Sequence, residues 1–166
     1  MCQHRFGVFE KKWLPGFGLL PVLAALRAYI EENRLGDEAR RDLRRWYWCS
    51  VFLERYSSAV ESKARRDYQD MVAHWRGEES NPVPFVEADV RIGSAAYSVR
   101  DSASTASSVY SGVFCLLALN GARDWSAGED ITLQNLQDHH IFPRDFLVRH
   151  GLQNRNDKSN MNSITN

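Results

Sequence analysis

The chain of 166 residues lacks an excess of either charge, since 21 lysines and arginines are balanced by 21 aspartates and glutamates. A protein that binds nucleic acid through a basic domain carries a positive excess, so the bulk charge does not favour that class of partner. Basic residues are concentrated only locally, in two runs: Arg40, Arg41, Arg44 and Arg45, and then Arg65 and Arg66. Such runs are more often solvated helix faces than binding surfaces, and both interpretations stay open here.

Cysteine is scarce, and long apolar runs are absent. Cys2, Cys49 and Cys115 are far apart and form no CxxC pair, which argues against a disulfide framework and for a reducing compartment. We expect Cys49 and Cys115 to be small buried residues. No apolar run reaches the roughly 20 residues that span a bilayer, and the first residues do not lead into a signal-peptide core. The sequence therefore predicts a cytoplasmic protein without a membrane partner.

Apolar residues recur at intervals of three and four along much of the chain, which predicts amphipathic helices. The first two predicted helices cover roughly residues 17–34 and 38–56, and a third opens at the capping-box sequence Ser58-Ala59-Val60-Glu61. A fourth covers about residues 104–120. The second helix has a wide apolar arc that includes Trp46, Tyr47, Trp48 and Phe52. Exposed aromatic side chains there would mark an interface, and the alternative is that they belong to the core.

The segments between and after these helices are less regular. Residues 77–84 (GEESNPVP) have the composition of a linker, and residues 85–103 combine features of a short helix and of a Ser-rich loop. Ile131–Leu133 and Leu136–Ile141 are candidate short strands. Pro143 fits the first position of a short helix over residues 143–150, closed by Gly151.

The motif Asp138-His139-His140-Ile141-Phe142-Pro143 places an acid and two imidazoles directly before that helix. Phosphodiester hydrolysis needs a water nucleophile, a group that takes its proton and positive charge at the leaving oxygen. A neutral histidine can take the proton, and a Mg²⁺-class ion can supply the charge. Zinc is disfavoured because no cysteine or further histidine lies at ligand spacing. Adjacent histidines also occur by chance in surface loops, which is the alternative.

Two further sequences accompany this motif. The run DHHIFP is followed by RDFL and later by NSITN, and it resembles the HNH (ββα-metal, His-Me finger) nucleases. The helical part, with RWYW from Arg45 and FLERYSS from Phe52, is similar to the region that precedes the nuclease of GmrSD-type modification-dependent restriction proteins. The resemblance covers most of the chain from about Leu14 onward.

The resemblance implies roles for individual residues. His140 falls on the general base, and His139 on the metal ligand, with Asp138 as a second candidate. Asn166 falls on the asparagine that ties the loop of the finger to its backbone, with Asn162 as an alternative. The implied cofactor is a divalent ion, Mg²⁺ or Mn²⁺, and the implied partner is DNA, including DNA with modified cytosines. Arg144, Arg44 and Arg45 are candidates for contacts with nucleic acid.

The resemblance also implies that the chain is a fragment. The helix with the second metal ligand would follow Asn166. The N-terminal nucleotide-binding domain of the family has no counterpart here, so that domain or a partner subunit is an expected partner. We therefore expect a mainly α fold, with a helical domain of about four helices (1–126) followed by an incomplete ββα-metal finger (127–166). The expected activity is that of a metal-dependent endonuclease, weak or absent in this chain alone. The alternative is a helical interaction or nucleic-acid-binding module.

Overall fold

The computed structural model describes residues 5–78, 81–99, 106–123, 128 and 143–151, and these residues are mainly α-helical. The α-helices are α1 (Leu19–Glu32), α2 (Asp37–Phe52), α3 (Val60–Trp75), α4 (Val83–Arg91), α5 (Ser108–Leu119) and α6 (Arg144–Arg149), and short 3₁₀-helices cover Lys11–Trp13 and Arg55–Ser57. The prediction of a mainly α fold is confirmed. The two candidate strands, on which a ββα finger depends, lie outside the described residues. Along the described ranges, no helix combines the length and the apolar character needed to cross a bilayer.

The chain divides into two compact units. One unit is Leu14–Tyr97, and the other combines the described residues up to Trp13 with those from Ser98 onward. The predicted boundary between residues 126 and 127 falls beside segments that the structure does not describe, and it stays a prediction.

The unit of residues 14–97 is built from α1 to α4, in which α1 packs on α2 and α3, and α4 packs on the same two helices. The predicted periodicity of the first helix is confirmed, because Val22, Leu26 and Ile30 are all buried along one face of α1. Trp46 of α2 and Met71 of α3 are 0% exposed. Each such side chain contributes about 1.5–3 kcal/mol by leaving water, so these contacts form the core of the unit.

The aromatic residues of α2 divide between the core and the surface. Trp46 and Tyr47 are 0% and 1% exposed, so for these two residues the core interpretation is correct. Trp48 and Phe52 are half-buried, and their rings stack with centroids 6.0 Å apart. Only this second pair remains accessible.

The connection between α2 and α3 differs from the prediction. α2 ends at Phe52 rather than near residue 56, because Glu54 adopts the left-handed region with φ 50° and a 3₁₀ turn follows. The predicted capping box is wrong: Ala59 is the N-cap of α3, also with φ 50°, and no side chain caps it. Ser58 lies one residue too early for that role, and its Oγ is 3.4 Å from Lys63 Nζ. Val60, the first residue of α3, is 38% exposed.

The last residues of the predicted linker belong to a helix. α4 begins at Val83, and Pro84 lies in its first turn, where a missing N–H leaves no helical hydrogen bond unmade. Pro82 and Pro84 are both fully buried, and Phe85 and Ala88 continue the buried face. The short helix expected in the ambiguous segment is thus present and starts two residues earlier than that segment.

In the second unit, α5 starts at Ser108, later than the predicted residue 104, because Ser107 is its N-cap and accepts a hydrogen bond from Val109 N at 3.1 Å. The helix packs against the 3₁₀ turn near the start of the chain. The Cys115 Sγ donates to Trp13 O at 3.2 Å, and burial raises the pKa of this thiol to about 12. Cys115 is therefore buried as predicted, whereas Cys49 on α2, for which burial was also predicted, is only half-buried.

Candidate functional site

The candidate catalytic and metal-binding residues of the predicted nuclease motif lie outside the part of the chain that the structure describes. This holds for His140, His139 and Asp138, and equally for Asn166 and Asn162. Their roles remain predictions. Across the described ranges, no three His, Cys, Asp or Glu side chains are grouped so that they could hold a metal ion.

The helix that follows the motif is described, and the prediction of it is confirmed. α6 covers Arg144–Arg149 directly after Pro143, and Gly151 follows it with φ 77°, a left-handed conformation that favours glycine. On its exposed surface the ring of Phe146 stacks on that of His150, with centroids 4.0 Å apart. The His150 Nδ1 lies 2.8 Å from the carbonyl oxygen of Phe146 and donates to it. Arg144 is the first residue of this helix, and its side chain lies outside the described part of the structure.

The two other candidate nucleic-acid contacts differ in their surroundings. Arg45 Nη2 donates to the two carboxylate oxygens of Asp89 at 3.2 and 3.4 Å. The Arg45 guanidinium also lies 4.4 Å above the ring of Phe85. Arg45 therefore joins α2 to α4, while half-buried Arg44 makes no ion pair with another described residue.

The most elaborate polar arrangement of the described residues is a buried cluster around Arg55, which we call the Arg55 cluster. Arg55 donates through Nε and Nη2 to the two carboxylate oxygens of Asp67, at 2.7 and 2.6 Å. Its Nη1 donates to Glu87 at 2.9 Å, and the Tyr56 hydroxyl donates to Asp67 Oδ2 at 2.6 Å. Lys63 Nζ donates to the carbonyl oxygen of Arg55 at 2.9 Å. One side chain thereby connects the turn after α2 with α3 and α4.

The charges of the cluster compensate one another inside the fold. The side chains of Arg55 and Asp67 are 5% and 0% exposed. Burial by itself would lower the pKa of Arg55, but the hydrogen bonds and charge of Asp67, together with Glu87, hold it above its usual value. Burial and the hydrogen bond to Asp67 raise the pKa of Tyr56 far above its usual value. Asp67 accepts three hydrogen bonds and is 0% exposed, so three of the roughly four lone-pair sites of its carboxylate are occupied by partners within the fold.

These contacts give the Arg55 cluster a structural role. It fixes the turn between α2 and α3, where Glu54 and Ala59 both have a positive φ. In the sequence, Arg55 and Tyr56 stand out only as members of the run FLERYSS, which carries the family resemblance. The available signal was Asp67, which lies four residues before buried Met71 and so falls on the apolar face of its helix. An acid at such a position needs a buried cationic partner.

Comparison with known proteins identifies a longer protein of similar sequence. No family model matches the chain, and no solved structure matches it. The uncharacterized protein MJ0686 of Methanocaldococcus jannaschii is 36% identical over 152 residues, which are 90% of this chain and 25% of that protein. The chain thus spans about a quarter of the length of the curated relative that it matches.

Proposed function

We propose that this chain is part of a metal-dependent DNA endonuclease of the restriction or anti-phage type, with His140 as its general base. The observation that carries the proposal is the motif Asp138 to Pro143 running directly into helix α6. Helix α6 begins four residues after His140 in the chain, and a helix close to a catalytic base helps to hold it with the precision of about 0.5 Å that catalysis needs.

The residues of the motif have different roles in phosphodiester hydrolysis. His140 accepts the proton of the attacking water through its neutral imidazole. His139, with Asp138 as the alternative, would be a ligand of the divalent ion, for which the resemblance implies Mg²⁺ or Mn²⁺. The ion, when bound, stabilises charge on the leaving oxygen. Asn166 or Asn162 would fix the loop that presents these groups.

The helical part would support the nuclease within a longer polypeptide. The relative of about four times the length agrees with a chain that is one section of a larger protein. A nucleotide-binding domain or a partner subunit would supply the remaining parts, and DNA with modified cytosines is a candidate substrate. The Arg55 cluster would keep the turn between α2 and α3 rigid in that assembly.

The test compares two histidines of the same region. We expect His140→Ala to lower the nicking of supercoiled plasmid in Mn²⁺ by about 10²–10⁴-fold, the usual contribution of a general base. His150→Ala removes an exposed imidazole that stacks on Phe146, and it should nick as the unsubstituted chain does.

Two further measurements separate the roles of the two histidines, and the second of them does not depend on nicking. Added imidazole should restore part of the activity of His140→Ala but not of a His139→Ala variant, because only the first lacks a proton acceptor. Binding of Mn²⁺, followed by electron paramagnetic resonance, should weaken in His139→Ala or Asp138→Ala. Equal nicking by His140→Ala and the unsubstituted chain would remove His140 from the mechanism.

A further inference from the structure

One face of α2 points away from the core and carries two arginines and two aromatic residues. Arg41, Arg44, Trp48 and Phe52 follow one another at steps of three and four residues, so they are neighbours along the helix surface. Arg41 is exposed and the other three are half-buried. From residue 41 to residue 52 this face is about 16 Å long, at a rise of about 1.5 Å per residue. We call it the α2 outer face.

The arginines of this face differ from their neighbours in the run. Arg40 is paired with Asp37 at 3.3 Å and Arg45 with Asp89 at 3.2 Å. Neither Arg41 nor Arg44 makes an ion pair with another described residue. Their positive charge is therefore not neutralised by a described carboxylate, and a negatively charged ligand would complement it.

The aromatic pair forms a platform anchored in the core. The rings of Trp48 and Phe52 are stacked, with centroids 6.0 Å apart and planes inclined at 29°. The indole of Trp48 also meets the buried ring of Tyr47 edge-on, with centroids 5.1 Å apart. At the end of the helix the Tyr97 hydroxyl donates to the carbonyl oxygen of Phe52 at 2.9 Å. Because these contacts already restrict the rings, a stacking ligand loses little side-chain entropy by binding them.

We propose that the α2 outer face binds single-stranded DNA, with phosphates held by Arg41 and Arg44 and a base stacked on Trp48 beside Phe52. Adjacent positive charge and aromatic surface are the two elements by which proteins hold unpaired strands without sequence preference. A duplex would offer the phosphates but no free base faces. The proposal rests on the proposed nuclease function only for the choice of DNA, since it involves neither His140 nor a metal ion.

The experiment measures binding of a fluorescent oligothymidylate of about 12 nucleotides, within the typical size of such sites, by anisotropy in EDTA over a range of salt. The slope of log affinity against log salt is negative, and the double substitution Arg41→Gln with Arg44→Gln should reduce its magnitude by about 1.4. This corresponds to two lost phosphate contacts at about 0.7 each. Arg65→Gln with Arg66→Gln removes the same charge from α3 and should leave the slope unchanged. Trp48→Leu keeps an apolar side chain but removes the stacking surface, and it should weaken binding about tenfold.

A second ligand isolates the stacking contribution. An abasic oligonucleotide of the same length keeps the phosphates, so the unsubstituted chain should bind it about tenfold more weakly than oligothymidylate, and Trp48→Leu should not weaken this binding further. The proposal is overturned by equal effects of the two arginine pairs, by equal binding of the abasic and thymidine strands, or by no binding at low salt. Because EDTA prevents metal-dependent cleavage, none of these outcomes depends on whether His140 is catalytic.

Discussion

At the scale of single residues, the Arg55 cluster decides how the turn between α2 and α3 is held. The Nε and Nη2 atoms of the planar Arg55 guanidinium donate to both carboxylate oxygens of Asp67, and its Nη1 donates to Glu87 on α4. Lysine could not reproduce this, because its ammonium group is a single point of charge without a planar fork. A buried pair of this kind is compensated only while every partner is present.

Asp67→Asn should therefore destabilise the chain by about 3–5 kcal/mol, because it leaves the buried Arg55 guanidinium with Glu87, which is partly exposed, as its remaining carboxylate partner. The control is Glu31→Gln, which breaks the exposed pair of Arg27 and Glu31 on α1 and should cost less than about 1 kcal/mol. Urea unfolding followed by circular dichroism measures both changes. Similar losses for the two variants would contradict the central role of the cluster.

At the scale of elements, the start of α3 is strained, since Ala59 has φ 50° as its N-cap. A residue with a Cβ atom loses about 1–2 kcal/mol in the left-handed region, whereas glycine adopts it freely. Ala59→Gly should then stabilise the chain by about 0.5–1 kcal/mol, after the greater entropy of the unfolded glycine is subtracted. The same change at exposed Ala28, inside α1, should destabilise it by about 1 kcal/mol. Thermal or urea unfolding gives the sign at each position, and a loss of stability at residue 59 would show that the turn carries no such strain.

A helix could be predicted from the sequence where its apolar residues recur with one strong helical periodicity. α1 is an example, because Val22, Leu26 and Ile30 lie on a single face. The end of α2 and the start of α3 could not be predicted, since both depend on Arg55 meeting Asp67 twelve residues later. Local propensity does not encode such a contact, and the capping-box pattern at Ser58 predicted a different start for α3. For the candidate site, the helix after Pro143 was predictable from proline and glycine positions, whereas the candidate catalytic and metal-binding residues lie outside the described ranges.

The α2 outer face illustrates the same limit at a finer level. In the sequence, four arginines form one cluster, because the sequence shows only their charge and spacing: Arg40, Arg41, Arg44 and Arg45. The structure separates them: Arg40 and Arg45 have carboxylate partners, and one of these, Asp89, is 44 residues away in the chain. Long-range pairing of this kind decides which basic residues remain available to a ligand, so it changes the choice of variants to test.

At the scale of the whole molecule, the division into two units leads to a prediction about independent folding. Residues 14–97 contain α1 to α4, their shared core and all partners of the Arg55 cluster. A segment with its own core and satisfied buried charges is expected to fold alone, with about 0.05–0.15 kcal/mol of stability per residue. We expect the isolated segment to be helical by circular dichroism and to unfold in one cooperative transition.

The Asp67→Asn substitution also tests whether residues 14–97 fold independently. Since Arg55 and Tyr56, the described hydrogen-bond partners of Asp67, lie within residues 14–97, the destabilisation by Asp67→Asn should be the same, within about 0.5 kcal/mol, in the isolated segment and in the full chain. The segment must retain enough stability for this comparison, so Ala59→Gly can be added to both backgrounds. A gradual, non-cooperative loss of helix in the isolated segment, or a much smaller effect of Asp67→Asn there, would mean that residues outside 14–97 complete its core.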